Sequence, residues 1–146
     1  GVWKYSRDNA RSPMTWNSGS KAGFTTGRPW LPLNDEYPKL NVETETEDEN
    51  SVLNYYKNLI KLRKQYPALI EGDYEELLSY SPGIYAYART TKDKSERIIV
   101  IANTTAKIRG YKIPELKGAT LLASTYGNRE ATLLRSYEVR VYKVKK

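Results

Sequence analysis

The stretch Tyr5–Trp30 reads YSRDNARSPMTWNSGSKAGFTTGRPW and carries the most specific pattern in the chain. Glycine and proline recur through residues 1–47, and the apolar side chains follow neither the period of a strand nor that of a helix. This segment is therefore predicted to be an irregular loop. Loops longer than about 12–15 residues are usually functional or disordered, and the tryptophans in this one argue against disorder. We expect its aromatic side chains to pack either on the body of a larger protein or on the chain's own β region.

One long helix is predicted over residues 48–66. Apolar residues recur there at three- and four-residue spacing, namely Val52, Tyr55, Tyr56, Leu59, Ile60, Leu62 and Tyr66. Asp48, Asn50 or Ser51 can cap the first turn, because a short side-chain oxygen accepts a hydrogen bond from an unpaired backbone N–H. Pro67 ends the helix.

Short strands are predicted after Pro67, separated by turn residues: Tyr74–Leu78, Ile84–Arg89, Arg97–Ala102, Lys107–Ile113, Ala119–Ser124 and Tyr137–Val144. Residues 81–83, Ser-Pro-Gly, are a strong hairpin signal. The strand Arg97–Ala102 is almost entirely apolar and is expected to be central, whereas the alternating last strand is expected to be a half-buried edge. These strands predict one antiparallel sandwich, with a domain boundary near residues 66–72.

The composition excludes several kinds of site. The 146 residues include no cysteine and no histidine, so disulfides, thiolate metal sites and Ser-His-Asp or Cys-His catalysis are excluded. We expect no metal and no cofactor. No stretch has the 18 apolar residues of a membrane helix, and Gly1–Ser6 lacks the apolar core of a signal peptide, so no membrane partner is expected. The absence of cysteine favours a cytoplasmic protein, although many secreted bacterial enzymes share it.

The net charge of +7 is unevenly distributed. Five carboxylates lie within residues 42–50, which leaves +12 on the remainder. We interpret this acidic run as the N-terminal flank of the predicted helix, where the helix dipole favours negative charge, rather than as a cation site. The basic residues are scattered, without an RNA-binding motif or a recognition-helix pattern. No nucleic-acid partner is therefore expected.

The motif in Tyr5–Trp30 resembles the oligo-1,6-glucosidase and alpha-glucosidase branch of the alpha-amylase clan, glycoside hydrolase family 13. That branch carries SRDxxRTPMQW, a short spacer, AGFT and PW. Leu31–Val42 (LPLNDEYPKLNV) is similar to the loop that follows in the family, and Ser51–Lys64 (SVLNYYKNLIKLRK) to the next helix. Gly72–Arg89 and Ile98–Thr104 are similar to its C-terminal β domain. The resemblance covers roughly residues 5–115.

The resemblance implies a fold that is mainly β with one long helix. Residues 1–70 would be the end of a (β/α)8 barrel, with an active-site-face loop over 1–47 and a helix over 48–66. Residues 71–146 would be a C-terminal antiparallel β-sandwich domain. The family's catalytic carboxylates lie upstream of the motif, so the chain would be the C-terminal part of a retaining glycoside hydrolase and inactive alone.

Arg11 is the substrate-binding residue that the resemblance implies. In the family this arginine binds the terminal sugar of an α-linked gluco-oligosaccharide, and a guanidinium presents several donors in a fixed fork that suits sugar hydroxyls. For Arg7 and Asp8 a structural role is favoured. Two positions depart from the family pattern, since Thr15 replaces glutamine and Asn17 replaces aspartate.

Trp16, Phe24 and Trp30 are interpreted as buried anchors in preference to sugar-stacking platforms. Asn103 begins an Asn-Thr-Thr glycosylation pattern, which is discounted because it sits at a predicted strand end.

Two other classes of function stay open. One is a catalytically inactive relative, such as the transporter heavy chains of the same clan, that acts through protein interaction. The other is a stand-alone carbohydrate-binding β module, which would need a surface aromatic platform on residues 72–146.

Overall fold

The computed structural model describes residues 11–127 and 132–145, and the sequence interpretation of Arg7 and Asp8 falls outside them. The chain divides into two compact units, one that ends at Asn58 and one that begins at Leu59. This division falls inside the long helix. The domain boundary near residues 66–72 stays a prediction.

The first unit contains more regular structure than the sequence indicated. A short 3-10 turn spans Ser20–Gly23, and helix α1 spans Val42–Glu47. The expectation of irregular loop to residue 47 is therefore wrong at its C-terminal end. The side chain of Asn41 accepts a hydrogen bond from the Thr44 backbone N–H at 3.0 Å, and the Thr44 hydroxyl accepts from the Asn41 N–H at 3.4 Å. This reciprocal cap satisfies two donors that the first helical turn leaves unpaired.

The long helix α2 spans Val52–Gln65, which confirms the predicted helix with a later start. Ser51 caps it, because its hydroxyl accepts from the Asn54 N–H at 3.1 Å. The Glu45 carboxylate accepts from the Leu53 N–H at 3.1 Å, so part of the acidic run does flank this helix. The side-chain amide of Asn54 donates to the backbone carbonyls of residues 45, 46 and 48. These bonds fix the turn between α1 and α2.

Helix α3 (Ala68–Glu71) follows directly after Pro67, and the described residues after it form seven strands. They are β1 (Asp73–Leu77), β2 (Ile84–Thr90), β3 (Arg97–Asn103), β4 (Arg109–Gly110), β5 (Thr120–Ser124), β6 (Leu133–Leu134) and β7 (Val139–Lys143). Five of them form an antiparallel sheet in the order β1-β2-β3-β7-β5, and β4 pairs with β6. The described chain is thus mostly β with few helices, and β3 is central as predicted.

The position of β7 corrects the prediction of a half-buried edge. It lies between β3 and β5, and Arg140, Val141 and Tyr142 are all buried. The apparent alternation of polar and apolar residues misleads here because the charge of Arg140 is compensated inside the fold. Only Arg109 and Gly110 of the predicted strand Lys107–Ile113 form a strand, since a 3-10 turn begins at Pro114, directly after the predicted range.

Each face of the five-stranded sheet packs partly against other residues of the second unit. Ala86, Ile101 and Tyr142 face the segment that contains β4 and β6, where Leu134 is fully buried. Ile98 and Val141 face the other way, and they are packed by the end of α2 and by α3 through Leu62, Tyr66, Ala68 and Leu69. The helices therefore cover part of one sheet face.

Candidate functional site

Arg11 is exposed at the first described position of the motif segment. Pro13 is buried two residues later, whereas Met14 and Trp16 are each about half exposed. Phe24 and Trp30 are exposed as well, Trp30 to 74%. Within the described chain none of these three aromatic side chains is buried, so an anchoring role needs a surface that the described residues do not supply.

The backbone of the motif is held by the start of α1. The N–H groups of Val42 and Glu43 donate to the carbonyls of Thr15 and Trp16, each at 3.0 Å. These N–H groups belong to the first helical turn, where no partner exists within the helix. The Thr15 hydroxyl donates to the Leu40 carbonyl at 3.1 Å. The threonine that departs from the family pattern therefore fastens the motif to the residues before α1.

A left-handed turn follows the motif. Lys21, Ala22 and Gly23 have φ values of 54°, 55° and 64°, and Ala22 is fully buried. Left-handed backbone is unfavourable for residues with a Cβ. It is maintained here because the N–H groups of Trp16 and Asn17 donate to the Ala22 carbonyl at 2.8 and 3.3 Å.

Asn17 and Gly23 are joined in this turn. The Asn17 side chain accepts from the Gly19 N–H at 3.0 Å. A Cβ added to Gly23 would lie 2.6 Å from the amide nitrogen of Asn17, so no larger residue fits without displacement. The sequence analysis did not assign these two residues a joint role. The only available signal was the glycine within an otherwise apolar AGF triplet.

An apolar groove of about 320 Å³ opens beside the motif, with Met14, Leu40 and Val52 among its walls. Val52 is 76% exposed and Leu40 is half exposed. The groove thus exposes apolar surface on the same segment whose tryptophans are exposed.

The second unit contains a buried polar network. The guanidinium of Arg140 lies 2.6 Å from the Glu138 carboxylate, and both side chains are almost fully buried. Burial opposes ionisation of Glu138, but the Arg140 guanidinium and the Arg135 backbone N–H together hold its pKa below the usual value. Burial also raises the pKa of the nearby Tyr111 hydroxyl, and Tyr142 adds to this rise. The two charged side chains are buried, so this network stabilises the sheet.

Asn103 belongs to the same network. Its amide nitrogen donates to the carbonyls of Lys107 and Arg135, each at 2.7 Å, and its amide oxygen accepts from the Thr105 N–H at 2.9 Å. The side chain is 2% exposed. An asparagine whose amide is used and buried in this way is not a glycan acceptor in the folded chain.

No group of three carboxylate, histidine or cysteine side chains suited to a metal ion occurs in residues 11–127 and 132–145. No helix in that part of the chain is long and apolar enough to cross a bilayer. Arg11 is thus the one predicted site residue within the described ranges, and its contact with sugar stays a prediction.

Comparison with known proteins gives consistent matches. The model of the alpha-amylase catalytic domain matches residues 2–72. The chain is 42% identical to an oligo-1,6-glucosidase of Parageobacillus thermoglucosidasius over 99% of its own length and 27% of that protein. It is 42% identical to a trehalose-6-phosphate hydrolase of Escherichia coli (strain K12) over 77% of its length and 20% of that protein.

Solved structures give the same result. An isomaltulose synthase from Klebsiella sp. LX3 superposes with a TM-score of 0.81 at 37% identity, over 95% of this chain and 26% of that one. A trehalose-6-phosphate hydrolase from Bacillus licheniformis superposes with a TM-score of 0.84 at 34% identity, over 97% of this chain and 27% of that one. The chain therefore spans about a quarter of the length of the relatives it matches.

Proposed function

Since the chain belongs to the oligo-1,6-glucosidase branch of the alpha-amylase family, we propose that it is the C-terminal part of a retaining glycoside hydrolase that cleaves α-glucosidic bonds of oligosaccharides. Residues 1–70 would be the last active-site loop and helix of a (β/α)8 barrel, and residues 71–146 a C-terminal β-sandwich domain. The lack of cysteine fits a cytoplasmic location for this enzyme.

One observation carries the proposal beyond likeness in sequence. The motif segment and the first half of α2 leave large apolar side chains uncovered, among them Trp30 at 74%, Val52 at 76% and Tyr56 at 65% exposure. Several large apolar side chains exposed within one segment support a surface that another part of the protein covers. The remainder of the barrel is the partner that the family implies, and it would bury the periodic apolar positions of α2.

The chemistry of such an enzyme requires two carboxyl groups on either side of the scissile bond, about 5–5.5 Å apart. One acts as the nucleophile, and the other protonates the leaving oxygen and then activates water. We place both in the remainder of the polypeptide. The contribution of this chain is to bind and position the substrate.

Arg11 would donate hydrogen bonds to the terminal glucose. It precedes a backbone segment fixed by α1 and by the left-handed turn, so the guanidinium would project from a rigid support. A rigid support matters because the sugar must be held in a geometry close to that of the transition state. The substrate would be an α-linked gluco-oligosaccharide.

The proposal is tested with the full-length polypeptide that contains this chain and with the 146-residue chain itself. Hydrolysis of p-nitrophenyl α-glucoside is expected from the full-length protein alone. Arg11→Lys in the full-length protein is expected to lower kcat/KM by about 10- to 100-fold, the loss expected when hydrogen bonds from a charged group are removed. Arg28→Lys is the matched control, because Arg28 is also an exposed arginine of the same loop.

An inactive full-length protein would contradict the proposed function and would favour an inactive relative. Equal activity of the Arg11 and Arg28 variants would remove Arg11 from the site while leaving the hydrolase assignment in place.

A further inference from the structure

Asn41 lies at the centre of the contact that holds the motif. The carbonyl of the residue before it accepts from the Thr15 hydroxyl at 3.1 Å. The N–H groups of the two residues after it, Val42 and Glu43, donate to the carbonyls of Thr15 and Trp16, each at 3.0 Å. Three hydrogen bonds thus join residues 40–43 to the motif, and Asn41 is the residue around which they are arranged.

The backbone of Asn41 brings these three groups to the same side of the chain. Asn41 is extended, with φ of −151° and ψ of 166°, and helix α1 begins at the next residue. The change from extended to helical backbone lets one carbonyl before Asn41 and two N–H groups after it all bond to Thr15 and Trp16. The two N–H groups are free to do so because they belong to the first helical turn.

The side chain of Asn41 fixes this change of direction. Its Oδ1 accepts from the Thr44 N–H at 3.0 Å, and its Nδ2 donates to the Tyr37 carbonyl at 2.9 Å. Asn41 is only 3% exposed. Capping a helix needs only the oxygen, so the amide nitrogen adds a second bond, to the loop before the helix. One buried side chain therefore holds both α1 and the loop that leads into it.

We propose that Asn41 is a positioning residue for the substrate, which acts through the motif backbone and holds Arg11 in the orientation that the terminal glucose requires. Arg11 lies four residues before Thr15, and the buried Pro13 restricts the backbone between them. A shift of the Thr15 backbone is therefore transmitted to Arg11. This role rests on the proposed function, because it requires Arg11 to bind the sugar.

Asn41→Ala in the full-length protein tests this role. It is expected to raise KM for p-nitrophenyl α-glucoside by about tenfold, because a misplacement of about 1 Å can cost as much as 100-fold in rate. Partial unfolding would lower the amount of active enzyme and leave KM unchanged. A raised KM therefore separates positioning from a loss of stability.

Asn103→Ala is the matched control. Asn103 is also a buried asparagine, 2% exposed, and its amide also bonds to backbone carbonyls, but it lies in the second unit. Both variants are expected to lower the thermal midpoint, and only Asn41→Ala is expected to raise KM. An equal rise of KM in both variants would overturn the inference.

Asn41→Ser restores the cap alone. Serine supplies the acceptor oxygen, as Ser51 does for α2, but it has no amide nitrogen to reach the Tyr37 carbonyl. Its KM is expected to lie between those of the wild type and Asn41→Ala. A KM equal to that of Asn41→Ala would overturn the inference, because a restored cap would then not restore the position of Arg11.

Amide hydrogen exchange of the same full-length samples tests the positioning without hydrolysis. The N–H groups of Val42 and Glu43 are expected to exchange at least about tenfold faster in Asn41→Ala than in the wild type, because the contact with the motif opens more often. Asn103→Ala should leave both rates unchanged.

The two readouts distinguish the failure of the inference from that of the proposed function. An unchanged KM for Asn41→Ala in an active enzyme would overturn the inference and leave the proposed function in place, as would unchanged exchange at Val42 and Glu43. Faster exchange at these residues in a full-length protein that hydrolyses no α-glucoside would support the positioning of the motif by Asn41 and contradict the proposed function.

Discussion

Glu138 and Arg140 form an ion pair of 2.6 Å in the interior of the second unit, with side-chain exposures of 1% and 2%. The two residues point to the same face because they are two positions apart in an extended segment. The Arg140 guanidinium also donates to the Leu133 carbonyl at 2.8 Å, and the Arg135 N–H donates to the Glu138 carboxylate at 2.7 Å. The pair thus joins β7 to the segment around β6.

Removing one charge of this pair is expected to be strongly destabilising. Glu138→Gln leaves the Arg140 guanidinium buried without its carboxylate, and breaking a buried pair in this way lowers the free energy of unfolding by about 3–5 kcal/mol. Glu115→Gln is the control, because Glu115 pairs with Arg97 at the surface, where a pair contributes about 0–1 kcal/mol. Urea denaturation of the 146-residue chain measures both. Equal urea midpoints for Glu138→Gln and Glu115→Gln would show that the buried pair stabilises the fold no more than the surface pair.

The same pair predicts a pH dependence. Because the folded-state pKa of Glu138 lies below its ordinary value of 4.5, the carboxylate stabilises the fold at pH values above that. This stabilisation is lost as the pH falls through the lowered folded-state pKa. The free energy of unfolding of the wild type is therefore expected to decrease as the pH is lowered below about 5, the range in which a paired carboxylate titrates. Glu138→Gln should flatten this part of the profile, and an unchanged slope would contradict the assignment.

The left-handed turn after the motif predicts a difference between two glycines. Gly23 and Gly127 have nearly the same φ, 64° and 66°, but a Cβ at Gly127 would meet nothing within 4 Å. Gly127→Ala therefore measures the backbone penalty alone, about 1–2 kcal/mol. Gly23→Ala adds the collision with Asn17 and should reduce stability further. Thermal unfolding of both variants tests this prediction. A smaller loss of stability in Gly23→Ala than in Gly127→Ala would contradict the close approach of Asn17 to Gly23.

The buried side-chain amide of Asn103 is expected to stabilise the fold. Asn103→Ala leaves the carbonyls of Lys107 and Arg135 without their donor and is expected to lower the free energy of unfolding by about 1–3 kcal/mol. Asn34→Ala serves as a control, because Asn34 is exposed and its side chain bonds only locally to the Glu36 N–H. Urea denaturation compares the two, and an equal loss at both positions would argue against a structural role for Asn103.

The sequence predicted those elements whose signals are local. Helix α2 carries a sustained apolar period and stops before Pro67, and residues 98–102 of β3 are an unbroken apolar run, so both were identified. Helix α1 is only six residues long, too short to show a period, and its cap uses Thr44 where the common pattern has glutamate or glutamine.

The burial of β7 depends on information that is not local. Arg140 looks like a solvent-facing residue until Glu138 and the Leu133 carbonyl are placed around it by the fold. The exposure of the aromatic side chains near the motif likewise depends on residues distant in the sequence, which a local pattern does not reveal. Arg11 is predicted to bind sugar from its motif alone, and this stays a prediction.

The most direct test of the proposed hydrolase follows the glucose released from p-nitrophenyl α-glucoside by the full-length protein, with proton NMR used to identify its anomer. A retaining mechanism predicts that α-glucose appears first and then equilibrates with the β form. Initial release of β-glucose, or no hydrolysis of any α-glucoside, would contradict the account.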